Sequence, residues 1–424
     1  MSGGAKVVVV IAVVVGLGIL VVGGLMVAGI GWFWMRSSTG EQARLEAVLE
    51  QEAAVAHQHA AAAATATAQE ETAAPAATPD APADTRPLAE RRTEAIARGV
   101  AYLLAEQAPD GSWGKGNVGI TGLCADALLE CGKTLNEPAV QRAIDFLLKA
   151  QKDDGGIYDD VGLKTYTTSI GLMVLVKADP KAYADPAEKA KAYLIKHQWD
   201  EDESIDTKNP WYGGHGYGQH ERPDLSNTQY FVQAMHDAGV PKDHPLWAKV
   251  VVFVSRSQDR SESNDGTFVG TDSGGMVYST HGEGESKAGT VDLPNGQKGL
   301  KAYGSMTYAG FKSFIYAHLA RDDPRVQAAM NWIRRHWTFE ENPELGAQGL
   351  YYYYETAAKA LKAWGEDTMM DDRRRTHDWK AELTEALLGR QKPEGFWINE
   401  ADRWFEGFPP VTTSYALIAL AQCQ

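Results

Sequence analysis

Cysteine is nearly absent. The 424 residues hold three, Cys124, Cys131 and Cys423. Cys124 and Cys131 fall on one predicted helix, about 10 Å apart along its axis. That is beyond the reach of a disulfide. So odd and sparse a set points to neither a disulfide scaffold nor a metal cage, and the three thiols read as small buried hydrophobes. Basic charge is also short. Lys and Arg total 41 against 56 Asp and Glu, a net charge of −15. No basic stripe is left to neutralise phosphates, which argues against a nucleic-acid partner. The 11 histidines form no HExxH or paired-ligand spacing, so neither metal nor cofactor is expected.

Charge is missing altogether from Val7 to Met35, a Val, Ile, Leu, Ala and Gly run closed by Trp32, Phe33 and Trp34. It exceeds the roughly 20 residues needed to span a bilayer. It is also about twice as long as the apolar core of a cleaved signal. Residues 1–36 therefore read as a single-pass transmembrane anchor with an aromatic interface belt. The expected orientation is N-terminus inside, with the rest extracytoplasmic. Residues 37–87 turn to Ala, Thr, Pro and acid. They read as a tether, partly helical at first, then disordered because it has too little apolar surface to bury.

From 88 to 424 two kinds of helix alternate. The first kind is charged on one face and usually ends in Gln: Gln107, Gln151, Gln198, Gln258 and Gln391, with Trp337 in the remaining slot. The second kind is apolar nearly all round and opens near Ser, Thr or Asn, which are good N-caps. Gly132, Gly239 and Gly365 stand where a left-handed C-terminal residue is wanted. Six pairs of outer and inner helices close naturally into a double ring. Gln107-x3-Gly111-x-Trp113 returns as Gln391-x3-Gly395-x-Trp397, and more weakly as Gln151, Gly155, Ile157. In this motif the amide can bond backbone at the next helix start, Gly permits a tight turn, and Trp covers the junction.

These motifs resemble the QW repeats of squalene-hopene cyclases. The resemblance covers about residues 88–424. It implies an all-α (α/α)6 toroid, the terpenoid cyclase and protein prenyltransferase β-subunit fold. Stretches such as YGSMTYAGFKSFIYA and GLYYYYETAAKAL resemble a bacterial group of prenyltransferase and squalene-oxidase-repeat proteins, common in planctomycetes. The cyclases begin an inner helix with a DxDDT-type motif whose middle aspartate protonates an alkene. Asp224-Leu225-Ser226-Asn227-Thr228 is the nearest stretch here. Ser226 and Asn227 replace two of the acids, and a neutral hydroxyl is no strong acid. The prenyltransferase Asp-x-Cys zinc pair is absent.

No residue is singled out as catalytic. His215, Tyr217, Asp224 and Asn227 crowd the connector before the third inner helix. His281 lies in a long Gly/Ser-rich insertion, Ser261 to Tyr303, expected to carry a hairpin in TFVG and MVYS and to lie over one mouth. Tyr353 and Glu355 enter the fifth inner helix, where one or two tyrosines of Tyr351–Tyr354 should face a central cavity. The competing structural reading makes Ser226 or Asn227 a helix cap, Asp224 a dipole partner, and the tyrosines ring packing. Parallel inner helices would gather six N-termini at one mouth, favourable to an anion. The expectation is a membrane-anchored, cyclase-like toroid binding or transforming an isoprenoid-type or anionic ligand in a central cavity. A glycan-active (α/α)6 enzyme and a non-catalytic binding or scaffold module are the alternatives.

Overall fold

The computed structural model describes residues 84–160, 162–218 and 221–424. The Val7–Met35 anchor and nearly all of the tether lie outside the described residues. Among the described residues no helix is long and apolar enough to cross a membrane.

The chain forms α1 (Leu88–Glu106), α2 (Val118–Glu130), α3 (Pro138–Ala150), α4 (Lys164–Ala178), α5 (Ala184–Lys196) and α6 (Leu225–Asp237). It continues as α7 (Pro245–Arg256), α8 (Gly304–Tyr316), α9 (Pro324–Arg335), α10 (Leu350–Trp364), α11 (Trp379–Leu388) and α12 (Pro409–Gln422). The even-numbered helices touch in the order α2, α4, α6, α8, α10, α12 and back to α2, so the inner ring is closed. The odd-numbered helices pack outside it. This is the expected (α/α)6 toroid.

The two sets differ as their sequences require. Outer α3 starts with Pro138, which fits a first turn that lacks a bonded N–H. It buries one stripe, Ala139, Val140, Ala143, Ile144 and Leu147. Inner α12 is buried without interruption from Pro410 to Ala421, as an all-apolar helix must be. Gly132, Gly239 and Gly365 take positive φ at the ends of α2, α6 and α10, the left-handed stop that glycine adopts freely.

The Gln motif makes the ring's joints, and it recurs five times with one geometry. Gln107 Nε2 donates to Gly111 O (2.9 Å) and Ala139 O (2.8 Å). Gln151, Gln198 and Gln258 repeat this pair of bonds, each to its own turn glycine and to the start of the next outer helix. Gln391 donates to Gly395 O and to Ala95 O, so its amide locks α11's end onto α1 and closes the circle. The turn glycines, Gly111, Gly155, Gly213, Gly274 and Gly395, all have positive φ. A Cβ on Gly213 would sit 1.8 Å from Lys249 O, so both conformation and space demand glycine there.

Two residues after each glycine, a backbone N–H donates to a threonine of the next inner helix. Trp113 pairs with Thr121, Ile157 with Thr168, His215 with Thr228, Met276 with Thr307 and Trp397 with Thr413, all at 3.0–3.1 Å. Trp113 and Trp397 also donate their indole N–H to Leu103 O and Leu387 O. His215 and Met276 are thus the third and fourth motif residues.

The insertion after α7 differs from the expected hairpin. Met276 pairs with Gln258 and Ser279 with Glu285 as isolated bridges, because Met276 is held in its motif slot. The hairpin forms later, β1 (Thr290–Asp292) against β2 (Lys298–Leu300). A second small hairpin, β3 (Thr368–Met370) with β4 (Thr376–Asp378), joins α10 to α11.

Candidate functional site: the ring axis and its N-terminal mouth

All six inner helices run the same way, but their N-terminal donors are already used. Five of the six starts are closed by the connector that follows the next outer helix. Asp159 Oδ2 accepts from Val118 N at α2, Tyr217 O from Thr165 N at α4, and Tyr278 O from Leu225 N at α6. Asn342 Oδ1 accepts from Ser305 N at α8, and Glu406 Oε1 from Tyr352 N at α10. Helix α12 opens with Pro409 and Pro410, which have no N–H to satisfy. Three of these groups are carboxylates, counting Asp224, which caps α6 through Asn227 N (2.8 Å). The expected anion-attracting rim is therefore largely neutralised by the protein's own groups.

The axis is spanned by side chains at two levels. Near the N-terminal mouth, Tyr166 of α4, Tyr230 of α6, Tyr352 of α10 and Tyr415 of α12 form an aromatic layer. Tyr166 and Tyr230 centroids are 4.3 Å apart, Tyr230 and Tyr352 6.3 Å, and Tyr352 and Tyr415 5.9 Å. Ser226 Oγ lies 3.1 Å from Tyr352 Oη, and Gln229 Nε2 donates to the same oxygen at 3.1 Å. These contacts join α6 to α10, which are not neighbours in the ring. Burial holds all four phenols above their ordinary pKa, so they stay neutral.

Deeper, the axis is ionic. Lys359 Nζ is 2.8 Å from Glu355 and 3.7 Å from Asp126 across the ring. Lys177 Nζ meets Asp126 and Glu130, each at 2.5 Å. Lys312, wholly buried, donates to Gln233 Oε1 at 2.5 Å. Burial pulls Lys312 down to about 8, against the pull of Glu355 upward. Taking these ions out of water is costly unless each is paired. Pairing here ties α2, α4 and α10 together.

The singled-out residues divide accordingly. Glu355 belongs to the ionic layer. Asp224 is at the mouth but self-contained. Both of its oxygens accept from Asn227, through N and Nδ2 (each 2.8 Å). Burial pushes Asp224 up to about 6, although these bonds oppose the rise. The cap of α6 is thus Asp224, rather than Ser226 or Asn227. Tyr217 Oη meets Tyr278 Oη at 3.1 Å on the same rim.

Three residues are not brought to the axis. His215 packs its ring on Phe231 at 4.0 Å and is fully buried. Burial depresses it to about 3, so the imidazole is neutral. It fills the slot where other repeats carry Trp, Ile or Met. His281 is exposed beside Trp211. Tyr353 donates its hydroxyl to Thr338 O (2.6 Å), while Tyr354 bonds Phe339 O. Among the four tyrosines it is Tyr352 that faces the axis.

Glu406 carried no signal beforehand. It is fully buried, accepts from Asn399 Nδ2 (2.6 Å) as well as from Tyr352 N, and is pushed up to about 7 by burial. Its only sequence cue is a lone acid in an aromatic loop. Beside it, Trp404 and Phe405 both have positive φ, 59° and 64°. For bulky residues that is a true outlier. No group of three or more His, Cys, Asp or Glu among the described residues is placed to hold a metal ion.

No family model matches the chain. Solved structures do match it in fold. One is a variant of the type II terpene cyclase MstE from Scytonema in complex with geranylgeranyl dihydroxybenzoate. It has a TM-score of 0.52 and 14% identity, covering 80% of this chain and 98% of that one. Apo MstE matches at TM-score 0.50 and 12% identity, over 78% and 98%. The GH76A alpha-1,6-mannanase from Salegentibacter sp. HEL1_6 matches at TM-score 0.50 and 10% identity, again over 78% and 98%. At these identities the likeness is one of fold, a toroid shared by a cyclase and a glycosidase.

Proposed function

We propose that this toroid is a binding module, displayed from a membrane by the Val7–Met35 anchor, which takes a ligand at the N-terminal mouth of its ring. The observation that carries the reading is the plugged axis. A polyene reaction chamber requires an apolar hollow with an accessible acid. Here the chords from Tyr352 to Ser226 and Gln229, and from Lys359 to Asp126, run through that space. An isoprenoid chain there would lie against buried charge, which gains nothing from hydrocarbon. Asp224 and Glu406 are raised toward neutrality, as acid catalysts often are. Yet their oxygens are occupied by helix-start donors and amides, which suits a cap better than a proton donor.

The mouth remains open enough to bind. Tyr166, Ser226 and Tyr352 are each partly exposed. The test is turnover. Full-length protein in detergent is incubated with a geranylgeranyl polyene and, separately, with a neutral oligosaccharide, and products are analysed by mass spectrometry. Both are expected back unchanged. Cyclised or hydrolysed product that disappears in Asp224→Asn or Glu406→Gln would overturn the reading.

A further inference from the structure

We infer that the ligand of the N-terminal mouth is a neutral glycan. This rests on the binding-module reading above and names its ligand.

The mouth offers aromatic faces and uncharged hydrogen-bonding groups together. Tyr166 and Tyr352 are each partly exposed, and an aromatic edge there suits the C–H face of a pyranose. Ser226 Oγ, Tyr352 Oη and Gln229 Nε2 form a continuous chain of hydroxyl and amide contacts leading inward. At its inner end Gln229 Oε1 is buried and has no partner among the described residues. Ser169 Oγ, one turn below Tyr166, is in the same condition. Buried polar atoms are normally satisfied, so the floor beneath the mouth is polar, and above it a sugar hydroxyl can both donate and accept at Ser226 and Tyr352.

Other ligand classes fit less well. An anion needs free donors or cations. Most helix starts are capped, Lys177 and Lys359 are bound to carboxylates deeper in the axis, and Lys312 is wholly buried on Gln233. An isoprenoid would cover the Ser226 and Tyr352 hydroxyls without adding a bond to either, which is unfavourable. A glycan hydroxyl can add bonds to the partly exposed Ser226 and Tyr352.

The rim adds a second aromatic surface. Trp404 is 40% exposed, and its ring lies against Gly349 at the start of α10. The Arg403 guanidinium sits 4.4 Å over that ring. The strained Trp404–Phe405 pair is held by buried Glu406, bonded to Tyr352 N. Strain of this kind persists only where surrounding structure enforces it, and it concentrates at binding sites. Here it keeps an indole in solvent near the residue whose hydroxyl heads the inward chain.

The experiment uses full-length protein in a detergent without a sugar headgroup. Mannotetraose, cellotetraose and N-acetylchitotetraose are titrated by calorimetry, with farnesol and inorganic phosphate as comparison probes. At least one neutral tetrasaccharide is expected to bind with a dissociation constant of about 1 mM or tighter. Tyr352→Phe, which removes only an oxygen, should weaken it about fivefold or more, as should Trp404→Ala. A single cooperative thermal transition confirms that the variants are folded. The inference is overturned if no saccharide binds, or if Tyr352→Phe and Trp404→Ala both bind it like the parent. Farnesol binding without turnover would overturn the glycan and keep the binding module. Product formed from any probe would overturn the binding module itself.

Discussion

The joints of this ring and its axis are built on opposite principles. Five of the six joints repeat one solution: a Gln amide bridging two carbonyls, a left-handed glycine, and a backbone N–H on a threonine. The axis repeats nothing. Tyrosines of four helices meet in one layer above three lysines and several carboxylates, and no single bonding pattern recurs from helix to helix. The joints make the fold and are indifferent to what the ring holds. The axis distinguishes this toroid from a hollow one.

That contrast can be broken from either side. The largest effect is expected at the axis. Lys359→Met leaves Glu355 and Asp126 buried beside one another with a partner gone. Removing one member of a buried ionic group costs about 3–5 kcal/mol. Urea unfolding checks this, and a loss below about 1 kcal/mol would mean the axis admits water. Replacing Asp126, Glu355 and Lys359 together by apolar residues should cost far less than the single change.

Next come the joints. Gly213→Ala forces a Cβ toward Lys249 O at a positive φ. A loss of about 2 kcal/mol or more is expected. Gly239→Ala, where nothing lies within 4 Å of the added carbon, should cost about 1 kcal/mol. Equal losses at both positions would show that close approach at the joint contributes nothing. Gln391→Leu strips the partner from Ala95 O and Gly395 O at the ring's closing joint. About 1–3 kcal/mol should be lost.

At neutral pH the smallest effect is expected at His215, which has the clearest pH signature. His215 has a folded pKa of about 3, below its ordinary 6.5. Between those values the unfolded chain binds a proton that the folded chain does not, so stability rises with pH through that window. Below pH 6.5 the parent therefore loses stability on acidification. His215→Met, matching Met276 in the neighbouring joint, should remove that slope and equal or exceed the parent at neutral pH. Asp224 and Glu406 run the other way. Their folded values, about 6 and about 7, lie above the ordinary ones, so their contribution declines as pH rises through those windows. The difference between variant and parent cancels these two and isolates the histidine.

What was legible in the sequence follows the same division. Helix pairing, inner and outer assignment and the role of Gln were readable because amphipathic periodicity and the motif recur. The third and fourth joints were hidden. Gln198 and Gly213, and Gln258 and Gly274, are separated by insertions, so His215 looked like a candidate ligand when it is a joint residue. The inner helix starts were misjudged for a related reason. Asn117 and Asp224 cap α2 and α6 locally, but Asp159, Asn342 and Glu406 reach their helix starts from connectors far along the chain, and no local N-cap pattern encodes those. Tyr352 and Tyr353 are adjacent and chemically identical. Only the helix phase, fixed by packing, decides which one meets the axis.

A crystal of the full-length protein pressurised with xenon would test the central claim most directly. Xenon seeks dry apolar hollows. If tyrosines and ion pairs fill the axis, no xenon atom will lie between Tyr352 and Lys359. Xenon density on the axis between those two side chains would reveal a hollow ring and contradict the account.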